Sequence, residues 1–126
     1  MRCLTAIVLL AALATPLRAE SVPSGRALVL WEVLFERVQG SDGAQMVLRY
    51  IAPSVAGAEY DAVASDLDWL CTRHGIAMAA LDYVRADSIV ITLMDRPVPR
   101  GRTDPEATQF FEIYRIADAA CLAEEY

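Results

Sequence analysis

Lysine is absent from this 126-residue chain, histidine occurs once, as His74, and there are three cysteines. With every cation a guanidinium, Schiff-base chemistry and amine general bases are excluded. A single imidazole leaves one acid/base side chain that titrates near neutrality. Positive charge is scarce altogether, 11 arginines against 17 acids and a formal net charge of −6. Nucleic acid and anionic lipid are therefore poor partners, since binding to phosphates draws its strength from clustered cations. No internal repeat or low-complexity tract is present. The length admits one small domain and excludes a barrel or a dinucleotide fold with a separate substrate domain. What the chain does have is hydrophobicity, 56% of residues with a mean hydropathy of +0.32, which excludes intrinsic disorder.

Part of that hydrophobicity lies at the amino terminus. Arg2 precedes an apolar run centred on Ile7, Val8, Leu9, Leu10 and Leu13, which ends at Pro16 and Arg18-Ala19-Glu20. The run is shorter than the roughly 20 apolar residues of a membrane-spanning helix and contains a helix breaker. It reads as a secretory signal over residues 1–19, cut after Ala19, with residues 20–126 as a single domain. The competing reading is an uncleaved anchor tethering the domain to the inner membrane. Cys3 stands too early to be a lipid-bearing cysteine. After cleavage nine arginines face 17 acids, a net charge of −8, and no stable membrane insertion is expected.

Two cysteines remain, Cys71 and Cys121. In an oxidising compartment an isolated pair in a small domain is most simply a structural disulfide. Closing a loop of about 50 residues would stabilise the fold by about 4 kcal/mol in the chain-entropy model. A redox-active pair normally sits two residues apart at a helix start, and a metal site would need two further soft ligands.

Along the domain, residues 20–25 read as a loose polar lead. From residue 28 to 38 the residues Val29, Trp31, Val33 and Phe35 alternate with Glu32 and Glu36, the period of a strand. Gly40-Ser41-Asp42-Gly43 follows, then Met46, Leu48 and Tyr50 alternate again, so a hairpin is expected, stopping before Pro53. Over residues 59–75 the period becomes helical through Tyr60, Val63, Leu67, Leu70, Cys71 and His74, with Gly75 expected as its left-handed cap. A short helical piece is expected over 78–85. The apolar run 88–94 predicts a central strand, 108–116 another strand, Asp118-Ala119 a turn and Cys121-Leu122 a short last strand. The fold class is then α+β, an antiparallel sheet of four or five strands packed against one long helix and stapled by one disulfide.

Few residues invite chemistry. His74 sits at the helix end beside the buried stripe, where a structural hydrogen bond is the commoner role. Ser65 and Ser88 lack the elbow of a nucleophile, and the carboxylate pairs Asp66/Asp68 and Glu124/Glu125 read as solvated charges. No cofactor or metal is expected. The notable cluster is Arg96, Arg100 and Arg102 on one Pro- and Gly-containing loop, a positive spot suited to a carboxylate, a phosphate or a partner, unless Asp95, Asp104 and Glu106 neutralise it.

The run Ile89-Val90-Ile91, then Asp95-Arg96-Pro97-Val98, then Pro105-Glu106-Ala107-Thr108-Gln109-Phe110-Phe111-Glu112 with Tyr114-Arg115, Cys121 and the earlier Cys71, resembles a family of small exported alphaproteobacterial proteins of unknown function. Its most distinctive stretch is residues 105–115. The chain departs from the pattern at Ala119, where a glycine is expected, and at Ala123, where a tryptophan is. The resemblance implies export and brings no activity or catalytic residue. The expected function is a periplasmic or secreted, non-enzymatic module that contacts another envelope protein. The alternatives are a binder of small anions using Arg96, Arg100 and Arg102, or a small hydrolase. The product isolated from the native host is expected to start at Glu20 with both remaining thiols oxidised; intact-mass spectrometry showing the full-length mass with free thiols would contradict this.

Overall fold

The computed structural model describes residues 21–125. The expected leader, residues 1–19, lies outside them. Two strands open the fold, β1 Val29–Arg37 and β2 Ala44–Ile51, paired antiparallel. The tight connection uses Gly40 at a φ of 78°, and the Gly43 amide donates to Ser41 Oγ at 2.9 Å. After two single turns at Pro53–Val55 and Tyr60–Ala62 comes one 16-residue helix, α1, made of Ala64–Leu70, Cys71–Gly75 and Ile76–Ala79. Then follow β3 Ser88–Met94, β4 Gln109–Ala117 and β5 Ala120–Ala123, in a five-stranded sheet of order β1-β2-β3-β4-β5.

The α+β class and the short last strand carrying Cys121 are as expected, but the sheet is mixed. β2 and β3 run parallel, Met46 opposite Ile89 and Tyr50 opposite Leu93. The connection between them holds α1, which carries the chain back to the starting end of the sheet and permits parallel pairing. Both strands accordingly read as near-continuous apolar runs buried on two faces.

α1 starts later and ends later than its apolar spacing suggests. Its middle turn is widened, the Ile76 amide donating five residues back to the Cys71 carbonyl, and the helix continues through the glycine expected to cap it. Gly75 is right-handed, with φ −60°. A Cβ there would meet Ile89 Cδ1 at 3.0 Å and Cγ2 at 3.2 Å, so the missing side chain is what lets α1 lie close on β3. The piece expected over 78–85 is helical only to Ala79.

On the α1 side the core gathers Met46, Leu48, Tyr50, Ile89, Ile91, Leu93 and Tyr114 against Val63, Leu67, Leu70 and Cys71. The Cys71–Cys121 disulfide, with Cα atoms 6.2 Å apart, ties the widened turn of α1 to β5. β1 departs from simple alternation. A bulge between Leu30 and Glu32 shifts its register, so that Val33 and Phe35 share the α1 face with their partners Leu48 and Met46, while the Trp31 ring lies against Arg49 on the other face.

That other face is also covered. Val47, Val90, Thr92 and Met94 are buried there. The 95–108 connection folds over it and inserts Val98, closing at its base where Asp95 N donates to Thr108 O at 3.0 Å and Thr108 N to Asp95 Oδ1 at 3.0 Å.

The β4–β5 hairpin turns on Asp118 at φ 51° and Ala119 at φ 55°, a left-handed pair that favours Asp-Gly. Ala119→Gly is expected to add about 1 kcal/mol of stability by removing the Cβ strain, read as a higher urea midpoint with an unchanged slope.

Candidate functional site

The polar lead is docked, not loose. Val22 is buried in the core, and Ser24 places its amide 3.0 Å and its hydroxyl 2.5 Å from the two carboxylate oxygens of Asp66. Arg26 adds its Nε at 3.2 Å and sends its other nitrogens to Ser54 Oγ and the Ala62 carbonyl. Asp66 therefore faces inward and is fully buried. Its charge is tolerable because three donors, one of them a guanidinium N–H, replace its water. Asp68 accepts the Tyr114 hydroxyl at 2.7 Å, so neither member of that pair is merely a solvated charge. Burial first, and then this bond, raise the Tyr114 phenol above its ordinary value.

The docked lead walls a hollow of about 270 Å³ against α1, with Trp69 and His74 opposite Ser21, Val22, Arg26 and Leu28. Beneath it the buried Tyr50 hydroxyl lies 2.9 Å from His74 Nδ1. Desolvation raises the Tyr50 phenol well above its ordinary value, so it stays protonated. The phenol and Nδ1 share a hydrogen bond whose direction follows the imidazole tautomer. The Trp69 ring meets the imidazole edge-on at 5.4 Å.

The three loop arginines do not converge. Arg96 folds onto its neighbour Asp95, Nη2 to Oδ2 at 3.0 Å. Arg100 reaches across the sheet to Glu36 on β1 with two parallel bonds, at 2.8 and 2.9 Å. Arg102 is exposed, its amide donating to the Pro99 carbonyl at 3.0 Å. The hydrogen bond from Arg100 holds the Glu36 carboxyl below its ordinary 4.5, and that from Arg96 holds Asp95 below 3.8. Lowered carboxyl values contribute stability that is complete above the ordinary values and lost as pH falls through the folded ones, so the loop loosens in acid. For the half-exposed Arg100–Glu36 pair this amounts to under about 1 kcal/mol. An anion docking here would have to displace both carboxylates.

A residue that periodicity does not flag holds this loop down. Arg49, on β2, is buried, its Nη1 paired with Glu32 and its Nη2 donating to the Val98 carbonyl at 2.5 Å and to Met94 Sδ at 3.0 Å. Its guanidinium lies 5.1 Å from the centre of the Trp31 ring. The one trace of it in the sequence is a lone charge between Val47 and Ile51 in an otherwise apolar strand.

Strand β1 is one of the two edges of the sheet, β5 being the other, and among the described residues no backbone hydrogen bond reaches its outer side. It displays Val29, 63% exposed, and Phe35, 59% exposed, beside Leu30 and Trp31. An apolar hollow of about 180 Å³ adjoins it, where Val33 and Phe35 face Met78, Leu81 and Tyr83. Among the described residues no three His, Cys, Asp or Glu side chains gather as a metal site, and no helix is long and apolar enough to cross a membrane.

These parts define a small disulfide-stapled α+β domain with a two-sided mixed sheet, an open strand edge and a polar hollow at the docked lead. The chain belongs to the Family of unknown function (DUF6497), whose model matches residues 5–126, in agreement with the resemblance to a family of unknown function. No curated protein matches the chain, and no solved structure does.

Truncating Asp66 to alanine removes the acceptor of three bonds and leaves Arg26 without its counter-charge. Asp66→Ala is expected to cost about 3 kcal/mol in urea unfolding and to raise amide hydrogen exchange across residues 22–26; an unchanged midpoint would contradict the docking.

Proposed function

We propose that this protein is an exported, non-enzymatic interaction module of the cell envelope, in which edge strand β1 receives an extended apolar segment of another exported protein. The observation that carries the reading is the open edge itself. Its outer backbone groups lack ladder partners and its side chains are large, apolar and exposed, the features that strand addition uses. The two acids of β1 add no repulsion toward an apolar strand, because Glu32 is paired with Arg49 and Glu36 with Arg100. The hollow formed with Met78, Leu81 and Tyr83, the last 82% exposed, can take one side chain of the arriving segment. A second copy is disfavoured as the occupant, since two domains of charge −8 repel each other.

Export is supported by the leader pattern and by a closed disulfide, a bond that persists in oxidising compartments. A hydrolase reading gains nothing from His74, whose Nδ1 is engaged by a buried phenol.

Placing lysines on a strand edge is how natural sheets refuse additional strands. The paired substitution Val29→Lys and Phe35→Lys is expected to leave the unfolding midpoint nearly unchanged, because both side chains are exposed. It is expected to abolish co-purification of a stoichiometric periplasmic partner, whose binding to the native domain protects β1 amides from hydrogen exchange. Co-purification that survives the double substitution, or a bound partner that leaves β1 amides unprotected, would overturn the proposal.

A further inference from the structure

We propose that the hollow between the docked lead and α1 binds a small organic carboxylate, a role separate from the β1 edge. Among the described residues no acid lines this hollow. Asp66, the nearest carboxylate behind its wall, is fully buried and spent on Ser24 and Arg26. The polar side chains that do line it are overwhelmingly donors. Arg26 has five N–H groups, of which the contacts to Asp66, Ser54 and Ala62 use three. Trp69 has only an indole N–H to offer, and no hydrogen bond within the described residues engages it. His74 lines it too, with Nδ1 bonded to the Tyr50 hydroxyl from below, so that Nε2 is the ring nitrogen without a partner among the described residues. Ser21 can donate as well.

A wall of donors without an acceptor of full charge selects an anion. The apolar remainder of the lining, with Val22, Leu28 and the Trp69 face, selects one that carries an apolar body. At about 270 Å³ the space suits a ligand the size of benzoate and is too small for a drug-sized molecule. The widened turn Cys71–Gly75 contains His74, and the disulfide from Cys71 holds that turn in place, so the imidazole is presented on a fixed element.

Because His74 is the only histidine, its imidazole signals in a proton NMR spectrum of the full-chain product are unambiguous. Titration with benzoate at constant pH and ionic strength is expected to shift them saturably, with a Kd of about 1 mM or tighter. Benzamide, of the same shape without the charge, is expected to bind at least about tenfold more weakly. Trp69→Phe, which keeps an aromatic face and removes the donor, is expected to weaken benzoate by a similar factor while the β1 partner is still bound. Shifts that stay linear in benzoate, or equal shifts with benzamide, would overturn the proposal. The comparison of the two probes decides it on the native protein even where the variant fails to fold, and neither result bears on the strand edge.

Discussion

A sheet whose two central strands are apolar on both faces has to be covered twice, and in this protein the second cover hangs on one buried guanidinium. α1 closes the first face by ordinary apolar packing. The opposite face receives an irregular connection, residues 95–108, which has no amphipathic stripe of its own to hold it. Arg49 supplies the hold, its fork joining β1 through Glu32 to the loop through the Val98 carbonyl. Arg100 repeats the device nearer solvent by reaching Glu36. The cost of burying Arg49 is offset because its charge is paired, its ring neighbour is aromatic and Nη2 meets a carbonyl and a sulfur, while Nε is left without a partner.

The same pattern recurs at the other end of α1, with signs exchanged. There a buried carboxylate, Asp66, gathers Ser24 and Arg26 and converts a polar lead into part of the wall. Two irregular segments are thus fastened to the regular core by one buried ion each, with Arg100 adding a more exposed link, and the Cys71–Cys121 bond fastens the helix to the last strand. In a domain of this size such links stand in for the apolar area that a larger core would bury.

This economy bears on function. Charged side chains are mostly consumed in fastening, which leaves the surface two features that no internal contact explains. One is the apolar outer edge of β1, which the sheet leaves open to another strand. The other is the hollow at the docked lead, where donors collect because the local carboxylate is turned inward. They lie on different elements, so a partner on the edge and a small ligand in the hollow can be held independently.

The amino-acid sequence alone determined what depends on near neighbours. The β1–β2 hairpin follows from its glycine-rich turn, the helix from the spacing of Val63, Leu67 and Leu70, the buried strand from the run Ile89 to Met94, and the disulfide from the isolated pair Cys71 and Cys121. The parallel pairing of β2 with β3, the bulge that turns Trp31 to the opposite face, the continuation of α1 through Gly75, and the roles of Arg49, Asp66 and Arg26 were decided by tertiary structure. Each of these depends on a group 14 to 49 residues away meeting its counterpart across the fold. Local periodicity is blind to such meetings, because a charge that faces water and a charge that faces its buried partner occupy the same place in the pattern.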